Sequence, residues 1–153
     1  MKVSPLQLNH TQFGEIFLQP KVADEFAAAI NVTTNPTFGR NDKDPNQWQI
    51  KMRIAFKGTD KKPTQYEGHI DVMGVFTVVA TDMKEDQTLK LVAITCPSIL
   101  YATAREVIAS LTARSQHGLF LLPSVSFADQ ILLLPGKDEN KAAQIEEAAK
   151  HKK

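Results

Sequence analysis

The segment Gln47–Lys57, QWQIKMRIAFK, puts Trp48, Ile50, Met52, Ile54 and Phe56 on one side and Gln47, Gln49, Lys51, Arg53 and Ala55 on the other. Side chains along a strand point alternately to opposite faces, so this is a strand with one dry and one wet face, the pattern of an antiparallel sheet. Such a sheet needs partner strands and a cover for its dry face.

Partner strands flank it. Downstream, Tyr66, Gly68, Ile70 and Val72 alternate with Glu67, His69 and Asp71 before GVFTVVA (74–80) turns continuously apolar, as a segment buried on both sides would. Upstream, Leu6 and Leu8 open an alternation that resumes after Gly14 with Ile16 and Leu18, and the glycine suggests a bulge. A second strand is read at Phe26, Ala28, Ile30 and Val32, although its three alanines could equally begin a helix. TNPTFGRNDKDPNQ (34–47), with Asn-Pro, Gly39 and clustered Asn and Asp, reads as a long turn region, and KGTDKKPT (57–64) as a charged hairpin loop. These connections are too short for crossover helices, so the expectation is a four-stranded antiparallel meander in an α+β fold.

The period then changes. From Pro97 to Ser115, Leu100, Ala104, Val107, Ile108 and Leu111 recur at three- and four-residue spacing, a helix with one apolar stripe that can cover the sheet. Pro97 suits the first helical turn and Gly118 a helix end. KEDQTLKLVAI (84–94) reads as a helical turn or small helix beforehand, and Asp138 to Lys153 as a short polar C-terminal helix. The division expected is one domain over 1–136 and a charged tail over 137–153.

Composition bounds the function. The 153 residues carry 18 basic and 17 acidic side chains, so no charge excess points to nucleic acid. A single cysteine, Cys96, rules out an intramolecular disulfide. The N-terminus is broken by Pro5 and polar residues before any signal-length apolar run, which predicts a cytoplasmic protein. HGLFLLPSVSFADQILLLPG (117–136) is rich in Leu, Phe and Val but too interrupted to insert in a membrane.

Reactive constellations are sparse. Cys96 precedes Pro97 at the expected helix start, where a thiol can be activated, but AITCPSIL (93–100) supplies no acid, histidine or glycine-rich loop. His10, His69, His117 and His151 have no partner at ligand spacing, so neither a metal nor a cofactor is expected. A small enzyme or ligand-binding domain would have to gather His69, Asp71 or Cys96 into one pocket. The apolar surplus in GLFLLPSVSF (118–127) points instead to buried core or to a partner, either another subunit or an apolar client.

CPSILYATAREVIASLTARSQHGLFLLPSVSF (96–127) resembles the SecB family of bacterial export chaperones. The likeness rests on Cys96, Pro97 and Leu100, on Ala104, Arg105 and Glu106, on Leu119 or Leu121 around Pro123 with Phe127 closing, and on Gly74-Val75-Phe76 in the fourth strand. It implies an ATP-independent holdase, built as a dimer of dimers, that binds unfolded polypeptides in apolar grooves for export or for a dedicated client such as an antitoxin. Phe76, Tyr101, Phe120, Leu122, Val125 and Phe127 are the expected groove lining, with Trp48 and Phe38 as further candidates. Leu100, Ala104, Arg105, Glu106 and Ile108 are the expected oligomer interface.

The family is acidic and docks the SecA motor through carboxylates on the exposed sheet face. At the matching positions this chain keeps Glu15, has Gln19, and has His69, so the resemblance implies a weakened SecA contact.

Overall fold

The computed structural model describes residues 3–130. Strands β1 (Leu6–Pro20), β2 (Asn31–Arg40), β3 (Gln47–Lys57) and β4 (Tyr66–Val78) precede a single long helix, α1 (Glu85–Thr112). The expected C-terminal helix and the boundary at 136 lie outside the described residues.

All four strands pair antiparallel, in the order β1-β4-β3-β2. This departs from a sequential meander: β2, β3 and β4 follow one another, but β1 lies beside β4 at the far edge. The segment 21–30 therefore crosses from one edge of the sheet to the other. β1 slips register between Leu8 and His10 and again between Phe13 and Ile16, and the second slip spans the expected bulge at Gly14.

The second strand also lies later than its expected position. Phe26 and Ala28 belong to the crossing segment, and β2 runs through the stretch read as a turn, with Pro36 opposite Met52 and Gly39 opposite Gln49. An edge strand tolerates proline, because an outward amide is not part of the ladder. Its inner side chains, Val32, Thr34, Pro36 and Phe38, are only half-buried, so little apolar contrast marks it.

The helix is longer than its apolar stripe suggested. KEDQTLKLVAI is its first half rather than a separate element, and Pro97 sits inside it, fully buried. An interior proline loses one ladder bond and crowds the preceding turn, a penalty of about 3 kcal/mol or more that packing must offset. Here Val92, Ala93, Cys96, Pro97 and Leu100 are all buried. The Lys84 amide donates to the Gln87 side chain, Glu85 and Asp86 place negative charge in the first turn, and Arg40 at the end of β2 donates to both Glu85 carboxylate oxygens. Gly74 lies where α1 crosses β4: an added Cβ would stand 2.7 Å from Leu100 Cδ2.

Candidate functional site

The residues after α1 form an extended segment whose side chains alternate. Leu119 and Leu121 are 59% and 56% exposed, whereas Phe120 and Leu122 are buried. Burial of Phe120 is explained by the core it meets, with its ring 5.4 Å from that of Tyr66 and 5.8 Å from that of Phe56. The segment is joined to the body by side chains rather than by a strand ladder. The Thr112 hydroxyl accepts from the Phe120 amide at 2.9 Å, Arg105 Nε donates to the Leu122 carbonyl at 2.8 Å, and the Tyr101 hydroxyl donates to the Pro123 carbonyl at 2.6 Å.

The turn before it is fixed in the same way. The Tyr66 hydroxyl accepts from the His117 amide and donates to the Gly118 carbonyl, and His117 Nε2 lies 2.7 Å from the Lys21 carbonyl oxygen. Gly118 has φ +73°, a left-handed conformation that suits glycine. Between this segment and the crossing segment lies a cavity of about 320 Å³ lined by Phe26, Ala28, Ile30, Leu119, Phe120 and Leu121 among others. It is open and has no charged side chain in its lining, which joins these apolar side chains to Thr64 and Gln65 and presents somewhat more polar than apolar surface.

The expected site residues are distributed differently. Trp48, Phe76, Tyr101, Phe120, Leu122 and Phe127 are all buried in the core of this chain, and Val125 and Phe38 are half-buried against it. The side chains left outward are Leu119 and Leu121, which the sequence reading used for alignment but not for the lining.

Most residues of the expected oligomer interface lie on the sheet-facing side of α1. Leu100, Ala104 and Ile108 are fully buried within the chain because the apolar stripe of α1 faces the sheet, and Arg105 is engaged with Leu122. Of that group only Glu106 is exposed.

On the outer face of the sheet, the candidate docking residues are engaged with one another and with their neighbours. Glu15 Oε2 lies 2.7 Å from His69 Nε2 and 3.3 Å from Arg53 Nη2, and Arg53 grips Asp71 with two bonds of 2.7 Å. The Arg53 guanidinium holds the Asp71 carboxyl below its ordinary range, against a smaller opposing effect of burial. Gln19 accepts from Lys21, and the His69 ring stacks on Phe17. The carboxylates are thus already paired inside the chain.

Cys96 is on the other side of the sheet, on the buried face of α1, so it does not converge with His69 and Asp71. Burial pushes its thiol up to about 12, the opposite of activation. The native protein is therefore expected to resist alkylation at pH 8 and to gain one reactive thiol in denaturant; rapid labelling of the folded chain would contradict this burial. Among the described residues no group of three His, Cys, Asp or Glu side chains could hold a metal ion.

The sequence profile described as "Preprotein translocase subunit SecB" matches residues 6–131. The protein-export protein SecB of Alcanivorax borkumensis is 27% identical over 114 residues, covering 74% of this chain and 68% of that protein. SecB of Psychrobacter arcticus is 25% identical over 98 residues, covering 64% and 62%. The chain thus spans roughly two thirds of the length of these relatives.

A solved structure, the Mycobacterium tuberculosis Rv1957 SecB-like chaperone in complex with a ChAD peptide from the Rv1956 HigA1 antitoxin, shares the fold. The TM-score is 0.58 at 13% identity, over 79% of this chain and 88% of the other. Members of the matched family are chaperones rather than enzymes. The four antiparallel strands, the long helix packed on them and a profile match running from β1 through the post-helix segment lead to one assignment: this chain belongs to the SecB family.

Proposed function

We propose that this protein is an ATP-independent holdase that keeps non-native polypeptides from aggregating. The observation that carries the reading is the pair of outward leucines, Leu119 and Leu121, at the mouth of an open, uncharged cavity. Burial of apolar area is non-directional, so such a surface accepts many client sequences. Phe26, Ala28 and Ile30 form the facing wall, and Phe120 joins Leu119 and Leu121 on the near one, while Leu122, Phe76, Tyr101, Phe127 and Trp48 belong to the core.

A dedicated client is favoured over delivery to the SecA motor. Glu15 and Asp71 share the Arg53 guanidinium, which offsets part of the negative charge they offer a basic docking partner. The structural neighbour in complex with an antitoxin peptide supports a peptide client of that kind. The assembly is a homo-oligomer, a dimer of dimers, acting in the cytoplasm. Self-association uses the side of α1 turned away from the sheet, where Ala102 and Glu106 are exposed.

The test is direct. Purified protein at equal subunit concentration, without nucleotide, is expected to suppress light scattering by a reduced, unfolded model protein. Its mass by multi-angle scattering is expected to be four chains, rising on uptake of client. Unchanged aggregation would end the holdase reading, and a monomeric mass would end the oligomer.

A further inference from the structure

Tyr101 and Arg105 are four residues apart on α1 and therefore project from the same side of the helix, one turn apart. Their donors meet consecutive carbonyls of the post-helix segment, those of Leu122 and Pro123. Pro123 has no amide to give, and the residue before a proline is confined to extended conformations. At this point the segment can be fixed through its acceptors, and α1 supplies the two donors. α1 ends at Thr112, seven residues after Arg105, and the segment returns antiparallel to this last part of the helix, so the two anchors and the Thr112–Phe120 bond span its length.

The position of these bonds decides which side chains face out. In extended chain a shift of one residue exchanges the two faces completely. With the carbonyls of Leu122 and Pro123 held, Phe120 and Leu122 enter the core and Leu119 and Leu121 face solvent. The opposite register would place two leucines inward and leave an aromatic ring outward, a change that hydrophobicity alone opposes only weakly, since every residue from Leu119 to Leu122 is apolar. The ring packing of Phe120 against Tyr66 and Phe56 favours the observed face, and the hydrogen bonds fix the register that delivers it there.

We infer that Tyr101 and Arg105 are positioning residues for client binding: they set the register of residues 119–123 and thereby select Leu119 and Leu121 as the client-facing side chains. The part concerning clients rests on the holdase reading; the part concerning register does not.

The experiment replaces both donors while keeping most of their packing, Tyr101→Phe with Arg105→Met, in the full chain carrying Cys96→Ala. Single cysteines introduced at Leu121 or Leu122 report the face by their rate of thiol labelling. With both donors present, Leu121→Cys is expected to react at least about 30-fold faster than Leu122→Cys, and removing one neutral and one charged hydrogen bond is expected to collapse most of that ratio. Because Leu122→Cys truncates a core side chain, amide exchange on the chain without introduced cysteines gives a second readout. The Phe120 amide, bonded to Thr112, is expected to be protected over those of Leu119 and Leu121, and to lose that protection in the double variant.

Client affinity, read by anisotropy of a labelled unfolded polypeptide, is expected to fall about tenfold in the double variant with global melting little changed. A labelling ratio and an exchange pattern unaffected by loss of both donors would overturn the role in register. A lost pattern with unchanged client affinity would overturn the role in selecting the client face. Failure of the unsubstituted protein to bind any client would overturn the holdase reading itself, and the labelling result would still decide the register.

Discussion

Changing Leu119 and Leu121 together to serine is expected to weaken binding of an unfolded client roughly 30- to 100-fold while leaving the fold intact. Full burial of a leucine side chain is worth about 1.5–3 kcal/mol. Each of these two is a little more than half exposed in the free protein, so a client can bury about half of that value at each position, or about 1.5–3 kcal/mol for the pair. The same exposure makes the substitutions nearly neutral for folding, within about 0.5 kcal/mol each. Titration of a fluorescent unfolded polypeptide, paired with a thermal melt, separates the two effects. Wild-type affinity in the double variant would remove this surface from the client site.

The largest effect on stability is expected at Gly68. An added Cβ there would stand 1.9 Å from the Phe17 carbonyl oxygen and 2.9 Å from the Phe17 carbonyl carbon, so the obstruction is the backbone of β1 rather than the end of a flexible side chain. Gly68→Ala must push β1 away from β4, opening the most extensive strand pairing in the sheet. A loss of about 3 kcal/mol or more is expected, which for a chain of this size lowers the thermal midpoint by roughly 6–12 °C. Gly39→Ala provides the contrast, since its nearest neighbour, the Gln49 carbonyl oxygen, is 3.7 Å away. Its melt should stay close to that of the parent. Equal melting of the two variants would show that β1 relaxes without penalty.

The sequence was most legible where burial is one-sided and strong. β3 and β4 alternate cleanly because α1 covers one face of each and the other stays wet. β2 was hidden for the complementary reason: an edge strand with a half-covered inner face can be built from Thr, Asn, Pro and Gly, the same residues that build turns. The placement of β1 beside β4 could not be read from loop lengths, because the 21–30 crossing is long enough to reach either edge. Pro97 misplaced the helix start because its usual position in a helix is the first turn, and only the packing around it permits an interior one.

The site was legible as a segment but not as a surface. The composite motif led to residues 118–127, yet an extended run of consecutive apolar residues does not say which half of them faces the core. That information lies in Tyr101, Arg105 and Thr112, whose side chains read in sequence as ordinary members of a helix. The two ion pairs of Arg53 and the Glu15–His69 contact were hidden for a related reason, since they join residues of three different strands.

The register slips in β1 and the proline in β2 also bear on how such a protein stays soluble. Both outer strands of the sheet expose backbone, and a regular edge beside exposed apolar side chains is a template on which copies of one chain can stack into fibrils. A neighbouring chain laid along β1 would lose step at Leu8/His10 and again at Phe13/Ile16, and along β2 it would meet Pro36, which has no amide to offer. A protein whose work is to meet sticky, unfolded chains thus carries, on the two edges where growth could begin, irregularities that keep it from becoming the first layer of the aggregate it prevents.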